Sequence, residues 1–121
     1  MASNYVQCGD VINWTNGGSA VSSGDVVVIG QILGVALVDI ANGATGAVAI
    51  EGVYTVPKVS GAVIAQGESL SWDVSAVGFD DNAASPATGD VTGAPAVAAE
   101  AAGNGVTSIA VKFTGIPGTV H

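Results

Sequence analysis

The sequence has very little positive charge. It contains no arginine, and its two lysines, Lys58 and Lys112, stand against ten acidic residues, which gives a net charge of −8. Proteins that bind nucleic acids neutralise phosphates with clustered lysine and arginine. The composition therefore excludes a nucleic-acid partner and disfavours an anionic membrane surface as a partner. The acidity itself is explained by solubility, which a chain with 49% hydrophobic residues requires.

Cysteine and histidine each occur once, as Cys8 and His121. A single cysteine forms no internal disulfide and no thiolate metal cluster, and we interpret Cys8 as a small hydrophobic residue. A Ser-His-Asp or Cys-His arrangement would have to use the terminal histidine. The sequences Gly-Lys-Ser and Gly-Lys-Thr are also missing, which excludes a nucleotide phosphate loop. We therefore predict that the protein is not an enzyme and has no cofactor and no His/Cys metal site.

Long apolar runs are missing as well. The longest uncharged apolar stretch, residues 26–38, is shorter than the roughly 18 residues that a membrane helix requires. The first residues contain no basic group followed by an apolar segment, so we expect no secretory signal. The sequence therefore predicts synthesis in the cytoplasm and no membrane partner.

Glycine is abundant and punctuates runs of Val, Ile, Thr and aromatic residues. The 18 glycines are spread along the whole chain, a spacing that is typical of many short strands. We predict one all-β domain over residues 1–121, a small barrel or sandwich of short strands with glycine-rich turns. An exposed loop is predicted at 80–95, where periodicity is lost. The predicted strands cover residues 11–15, 26–29, 32–37, 47–56, 69–73, 94–101 and 107–113.

The tripeptide Gly-Asp-Val occurs three times, at 9–11, 24–26 and 89–91, and Gly67-Glu68 is a weaker fourth copy. Each copy is placed where a strand begins. Glycine supplies the positive φ of a tight turn, and the short acidic side chain can accept hydrogen bonds from nearby backbone N–H groups. We therefore interpret these copies as turns. The spacing of a Ca²⁺ loop is missing, although cation binding by oxygen atoms of some acidic loop stays open.

The few aromatic residues are predicted to lie in the core. Trp14 and Trp72 fall within predicted strands, and their polar neighbours would point to the opposite face. We assign both tryptophans, with Tyr54, to the structural core, and the alternative is an exposed stacking platform for a ligand. Because the apolar content is mostly thin side chains of Ala and Val, we also expect part of the apolar surface to close against another subunit.

Several motifs occur in a characteristic order along nearly the whole chain. They are Asn-Tyr-Val-Gln-Cys-Gly-Asp-Val-Ile at 4–12, a glycine-punctuated strand pair at 27–36, Gly-Val-Tyr-Thr-Val-Pro-Lys at 52–58, Leu-Ser-Trp-Asp at 70–73 and Val-Ala-Ala-Glu-Ala-Ala at 97–102. In this order they resemble the capsid cement, or head decoration, proteins of bacteriophages and prophages.

The resemblance implies a structural role in the virion. Subunits of this family, as homotrimers, would bind the outer surface of the head, contact the major capsid protein and brace neighbouring capsomers against the pressure of the packaged DNA. The protein would be synthesised in the cytoplasm of the bacterial host. No catalytic residue is implied. The alternative is a secreted or surface-exposed β-type binding module without catalytic activity, which should carry a signal peptide or an exposed aromatic platform.

Residues 2–7 precede the first Gly-Asp-Val turn and lie outside the periodic strand pattern. We predict that they form an N-terminal arm that docks on the capsid. Tyr5 and Val6 would serve as an amphipathic anchor, while Asn4 and Gln7 would make polar or edge-strand contacts. The alternative is that Tyr5 and Val6 form the first strand of the protein's own sheet.

Overall fold

A computed structural model describes residues 9–121. All regular secondary structure within these residues consists of β-strands. This confirms the prediction of an all-β protein. No helix within these residues is long and apolar enough to cross a membrane. The strands are β1 (Val11–Thr15), β2 (Val26–Ile29), β3 (Ile32–Ala36), β4 (Thr45–Ala49), β5 (Glu51–Pro57), β6 (Ser71–Asp73), β7 (Gly78–Asp80), β8 (Val91–Thr92), β9 (Ala96–Ala98), β10 (Ser108–Thr114) and β11 (Thr119–Val120).

The strands form three antiparallel sheets. The first sheet has the order β1-β4-β3-β2, the second β5-β10-β9 and the third β11-β8-β6-β7. Strand β10 shows most clearly why the sequence adopts this structure. Its residues alternate, so that Ile109, Val111 and Phe113 are buried while Ser108 and Lys112 are exposed. A period of two residues places one face of a strand on the core and the other in water.

The main core is built by side chains from all three sheets. Its aromatic rings form a chain of edge-to-face contacts, with centroid distances of 4.9 Å for Trp72 and Phe79, 6.0 Å for Phe79 and Phe113, and 6.1 Å for Phe113 and Tyr54. Such offset contacts add to the stabilisation that burial of the rings provides. The second and third sheets are therefore joined through these rings.

A second, smaller core covers the other face of the first sheet. It contains the buried residues Val27, Ala36, Ile40 and Val48. Two glycines make this packing close: a Cβ atom at Gly34 would lie 2.5 Å from Val48 Cγ1, and one at Gly46 would lie 2.5 Å from Ile40 Cγ1. Half-buried side chains surround these residues, namely Trp14, Val21, Ile29, Ala44 and Ile50.

The predicted strand at 47–56 is wrong as a single element. Strand β4 ends at Ala49, and β5 starts two residues later in a different sheet. Between them, Ile50 N–H donates to the Asp10 carbonyl at 2.9 Å, and Gly52 has a φ of 125°. In the sequence, the larger apolar residues Val48, Ile50, Tyr54 and Val56 keep an even spacing through this point, which is why the sequence pattern does not reveal the change of sheet.

The segment 80–95 is only partly an exposed loop. Asp80 ends β7, and Asp90 and Val91 are 5% and 0% exposed. Strand β8 then pairs with both β6 and β11. The continuous exposed part covers residues 85–88. Strands β7, β8 and β11 have only two or three residues each, which is too short for a periodic pattern.

Candidate functional site

The contact residues predicted from the sequence, Asn4, Tyr5, Val6 and Gln7, lie outside the described residues, as does Cys8. The structure does describe the strand to which they lead. Strand β1 lies at one edge of the first sheet and, within residues 9–121, it pairs with β4. The register runs from Val11 opposite Ala49 to Thr15 opposite Thr45. In sequence, the predicted arm is therefore followed by the turn at residues 9–10 and then by β1.

The three predicted core residues differ in burial. Trp72 is 4% exposed and belongs to the main core. Tyr54 is half-buried against the same core, and Trp14 is half-buried against the second core. Trp14 is less enclosed than the sequence indicates because the second core consists of a few side chains on one face of a sheet, with no further sheet packed over it among the described residues.

The Gly-Asp-Val sequence at 24–26 forms a hydrogen-bonded turn. Asp25 N–H donates to the Ser22 carbonyl at 3.0 Å, and the Asp25 carboxylate accepts from Ser22 N–H at 3.0 Å. Gly24 has a φ of 91°, as the third residue of a type II turn requires. The backbone and the side chain of Asp25 therefore both hydrogen-bond to Ser22 and stabilise the turn, and β2 begins at the next residue.

The same arrangement recurs twice. Asp90 is hydrogen-bonded in this way to Ala87, and Glu68 to Ala65. Strands β1, β2 and β8 each begin at the valine of a Gly-Asp-Val copy. The prediction that these sequences form turns at strand starts is confirmed. Among residues 9–121 there is no group of three or more His, Cys, Asp or Glu side chains that could hold a metal ion.

Lys58 occupies an unusual position for a lysine, because its side chain is only 4% exposed. Its Nζ donates to the carbonyls of Val59 at 2.8 Å, Gly103 at 3.1 Å, Val106 at 3.1 Å and Ser60 at 3.4 Å. We call these four carbonyls the Lys58 cage. It ties the segment after β5 to the turn between β9 and β10. Sequence reasoning missed this role because lysine is ordinarily exposed.

The turn between β6 and β7 is strained and presents apolar side chains. Val77 has a φ of 54°, a conformation that costs energy for a β-branched residue, and it is 61% exposed. Val74, on the same turn, is 39% exposed. The N–H of Ala76 and then the hydroxyl of Ser75 donate to the Asp73 carboxylate, and these hydrogen bonds lower its pKa below the ordinary value of 3.8.

A cavity of about 180 Å³ lies between this turn and the start of β2. Among its lining residues, Asp25 is the only one with a charge. The exposure of Asp25 and Val77 shows that the cavity opens to solvent. No sequence signal predicts the cavity, because it depends on how the sheets meet. The apolar side chains that line it are Val21, Val26, Pro57, Trp72 and Val77.

The charged groups at the surface are mostly acidic. Of the ten acidic residues only Asp90 is buried, whereas one of the two lysines, Lys58, is buried. Lys112, on β10, is therefore the one exposed lysine within residues 9–121. A surface of this kind repels polyanions and attracts basic partners.

Comparison with known proteins gives one result that covers most of the chain. Residues 6–113 match a family model described as phage cement protein. The match includes the three Gly-Asp-Val turns, the Lys58 cage and all residues of the cavity, and it ends within β10. The chain has no match among curated proteins.

Proposed function

Because the chain belongs to the phage cement protein family, we propose that it binds the outer surface of an assembled phage head and stabilises neighbouring capsomers. Family membership implies a structural protein of the phage capsid rather than an enzyme. The match over residues 6–113 is the observation that carries the proposal. The proposed location is the outside of the virion, after synthesis in the bacterial host.

The proposed partner is the major capsid protein. The acidic surface supports a position outside the shell, because packaged DNA would repel it on the inside. The same surface favours a basic partner, and association between surfaces of opposite charge is fast and selective. Binding to the head should therefore weaken as salt is added.

The proposed assembly is a homotrimer. Its support is the set of exposed large hydrophobic side chains, which contact with a second subunit would bury. Closed symmetry is the rule for such assemblies. Light scattering should return three times the monomer mass of 11.6 kDa, either in solution or after release from heads. The side chains available for such contacts include Leu37, Val38, Val53, Val63, Val106 and Ile116, each at least 40% exposed.

We assign the first contact with the capsid to Asn4, Tyr5, Val6 and Gln7. These residues precede β1, which among residues 9–121 lies at one edge of the first sheet. A segment at a sheet edge can add a strand to a partner through backbone hydrogen bonds. If the arm docks in this way, protein lacking residues 2–7 stays folded and no longer binds heads. If residues 5 and 6 belong to the protein's own sheet, the deletion destabilises the fold.

Co-sedimentation with expanded heads that lack the protein tests the proposed function. We expect saturable binding, with heads that then release DNA at a higher temperature than bare heads. The control is the same heads mixed with heat-unfolded protein. Absence of co-sedimentation at micromolar concentration, with the protein folded, would overturn the proposal.

A further inference from the structure

We propose that the cavity between the β6–β7 turn and the start of β2 receives a lysine or arginine side chain of the capsid shell protein. This inference rests on the proposed function and names a second contact with the shell, in addition to that of residues 4–7.

The size and lining of the cavity suit a long side chain with an apolar stem. Its volume is about 180 Å³, and an engineered protein cavity of about 150 Å³ is large enough to take a benzene molecule. The apolar walls include Val26 and the buried indole of Trp72. Lysine and arginine place their methylene groups along such surfaces and keep the charged end near water. An indole lining the cavity can also attract the cation.

Two carboxylates are hydrogen-bonded to the turn at residues 22–25, which adjoins the cavity. Asp25 lines the cavity and is exposed. Asp39 lies close to the turn at residues 22–25, since its carboxylate accepts a hydrogen bond from Ser23 N–H at 2.8 Å. The neighbouring Ser22 N–H donates to the Asp25 carboxylate. The cavity therefore combines apolar walls with one acidic lining residue, which is complementary to the apolar stem and the positive charge of a lysine or arginine.

The cation has to come from another protein. Lys58 donates to its four carbonyls, and Lys112 lies in the second sheet opposite Val53 and Val97. A second copy of this chain is a poor source, because each copy has one exposed lysine against nine acidic residues that are exposed or half-buried, ten less the buried Asp90, among residues 9–121. Charge complementarity therefore favours a basic segment of the shell.

Strain at the opening of the cavity fits a contact site. Val77 lines the cavity, is 61% exposed and holds a positive φ. An exposed valine in this conformation adds little burial to the fold of the chain itself, whereas at an interface it would be covered by the partner. Strained residues of this kind cluster at binding sites.

The test compares two variants that remove one negative charge from the same kind of turn. Asp25→Asn and Glu68→Gln both keep an oxygen that can accept the turn hydrogen bond, but only Asp25 lines the cavity. We expect Asp25→Asn to weaken binding to heads by about tenfold, since breaking one contact of a charged pair has a large effect. Glu68→Gln should stay within about twofold of the unmodified protein, because Glu68 does not line the cavity and salt screens its charge.

Three results would overturn the inference. Equal weakening by both variants would show that net charge, not the cavity, is recognised. Unchanged binding of Asp25→Asn would show that the carboxylate makes no contact. A change in the mass of the free protein in solution on Asp25→Asn would show that the cation belongs to a second copy.

A second measurement separates this inference from the proposed function. N-acetyl-arginine amide is titrated into isotope-labelled protein, and the resonances of Val26, Val77 and the Trp72 indole are followed. Saturable shifts that persist in Glu68→Gln and vanish in Asp25→Asn support the cavity as a cation site even if heads do not bind. If heads do not bind, the proposed function fails and the shell is not the partner. Absence of shifts in the unmodified protein overturns the site itself.

Discussion

Removal of the buried ammonium group at Lys58 should destabilise the protein markedly. The substitution Lys58→Met keeps a long unbranched side chain and deletes the donor at the centre of the Lys58 cage. The carbonyls of Val59, Gly103 and Val106 each lose a hydrogen bond of 2.8 to 3.1 Å. Since these carbonyls belong to two separate segments, the turn between β9 and β10 loses a direct link to the segment after β5.

The expected loss in the free energy of unfolding is estimated from the three N–H groups of the ammonium, each of which can donate one hydrogen bond. A hydrogen bond contributes about 1 kcal/mol net, and somewhat more when one partner is charged. Three bonds give about 3 kcal/mol, which the removal of a costly buried charge partly offsets. Water can also reach part of the cage, since Ser60, Gly103 and Val106 are exposed. We expect a loss of about 2 to 3 kcal/mol in the free energy of unfolding.

Urea denaturation followed by tryptophan fluorescence measures this change. Lys112→Met is the matched control, because it removes the same charge from an exposed position on β10. The control should shift the free energy by less than about 0.5 kcal/mol, as surface substitutions do. If the two variants unfold at the same urea concentration, the carbonyl contacts contribute nothing and the reasoning is refuted.

Three further changes have defined outcomes. Val77→Gly removes the strain of a positive φ and should stabilise the protein by about 1 kcal/mol, which is the strain energy less the entropy cost of the added glycine. The control Val74→Gly should destabilise the protein. If urea denaturation shows Val77→Gly to be less stable than the unmodified protein, Val77 is not strained. Trp72→Ala should lower the free energy of unfolding by about 3 to 5 kcal/mol. Trp14→Ala should lower it by about half as much, because Trp14 is half-buried. Equal losses in thermal unfolding would show that burial of the ring does not determine the loss of stability. The lowered pKa of Asp73 means that its hydrogen bonds stabilise the fold above the ordinary pKa of 3.8 and that this contribution disappears as the pH falls through the folded value. Asp73→Asn should therefore reduce the loss of stability that follows when the pH is lowered below the ordinary pKa of 3.8, by less than about 1 kcal/mol because solvent screens this partly exposed group. An unchanged pH profile would argue against the turn hydrogen bonds.

The sequence predicts elements well where a pattern is local. Strands β1 and β2 have the predicted bounds, and Gly-Asp-Val marks the start of strands because its hydrogen bonds lie within four residues. The change of sheet at Ile50 is not predictable in this way, because it depends on β10, which is distant in the sequence and pairs with β5.

The candidate sites also differ in whether a local sequence pattern predicts them. The arm residues 4–7 are a prediction from the sequence that the described residues do not test. The cavity and the Lys58 cage are features of the folded chain. Nothing around Val77 signals a positive φ, and the carbonyls of Gly103 and Val106 lie 45 and 48 residues from the lysine that they bind.

The burial of Lys58 has a practical consequence for chemical modification. Amine-reactive reagents require an accessible nitrogen, and Lys58 Nζ is enclosed by carbonyl oxygens while Lys112 is exposed. Of the two lysines, acylation of the folded protein should therefore modify Lys112 alone, at the middle of β10, with the side-chain net charge changed from −8 to −9. A fluorophore or peptide coupled there would be displayed at one defined position per subunit, without any engineered cysteine.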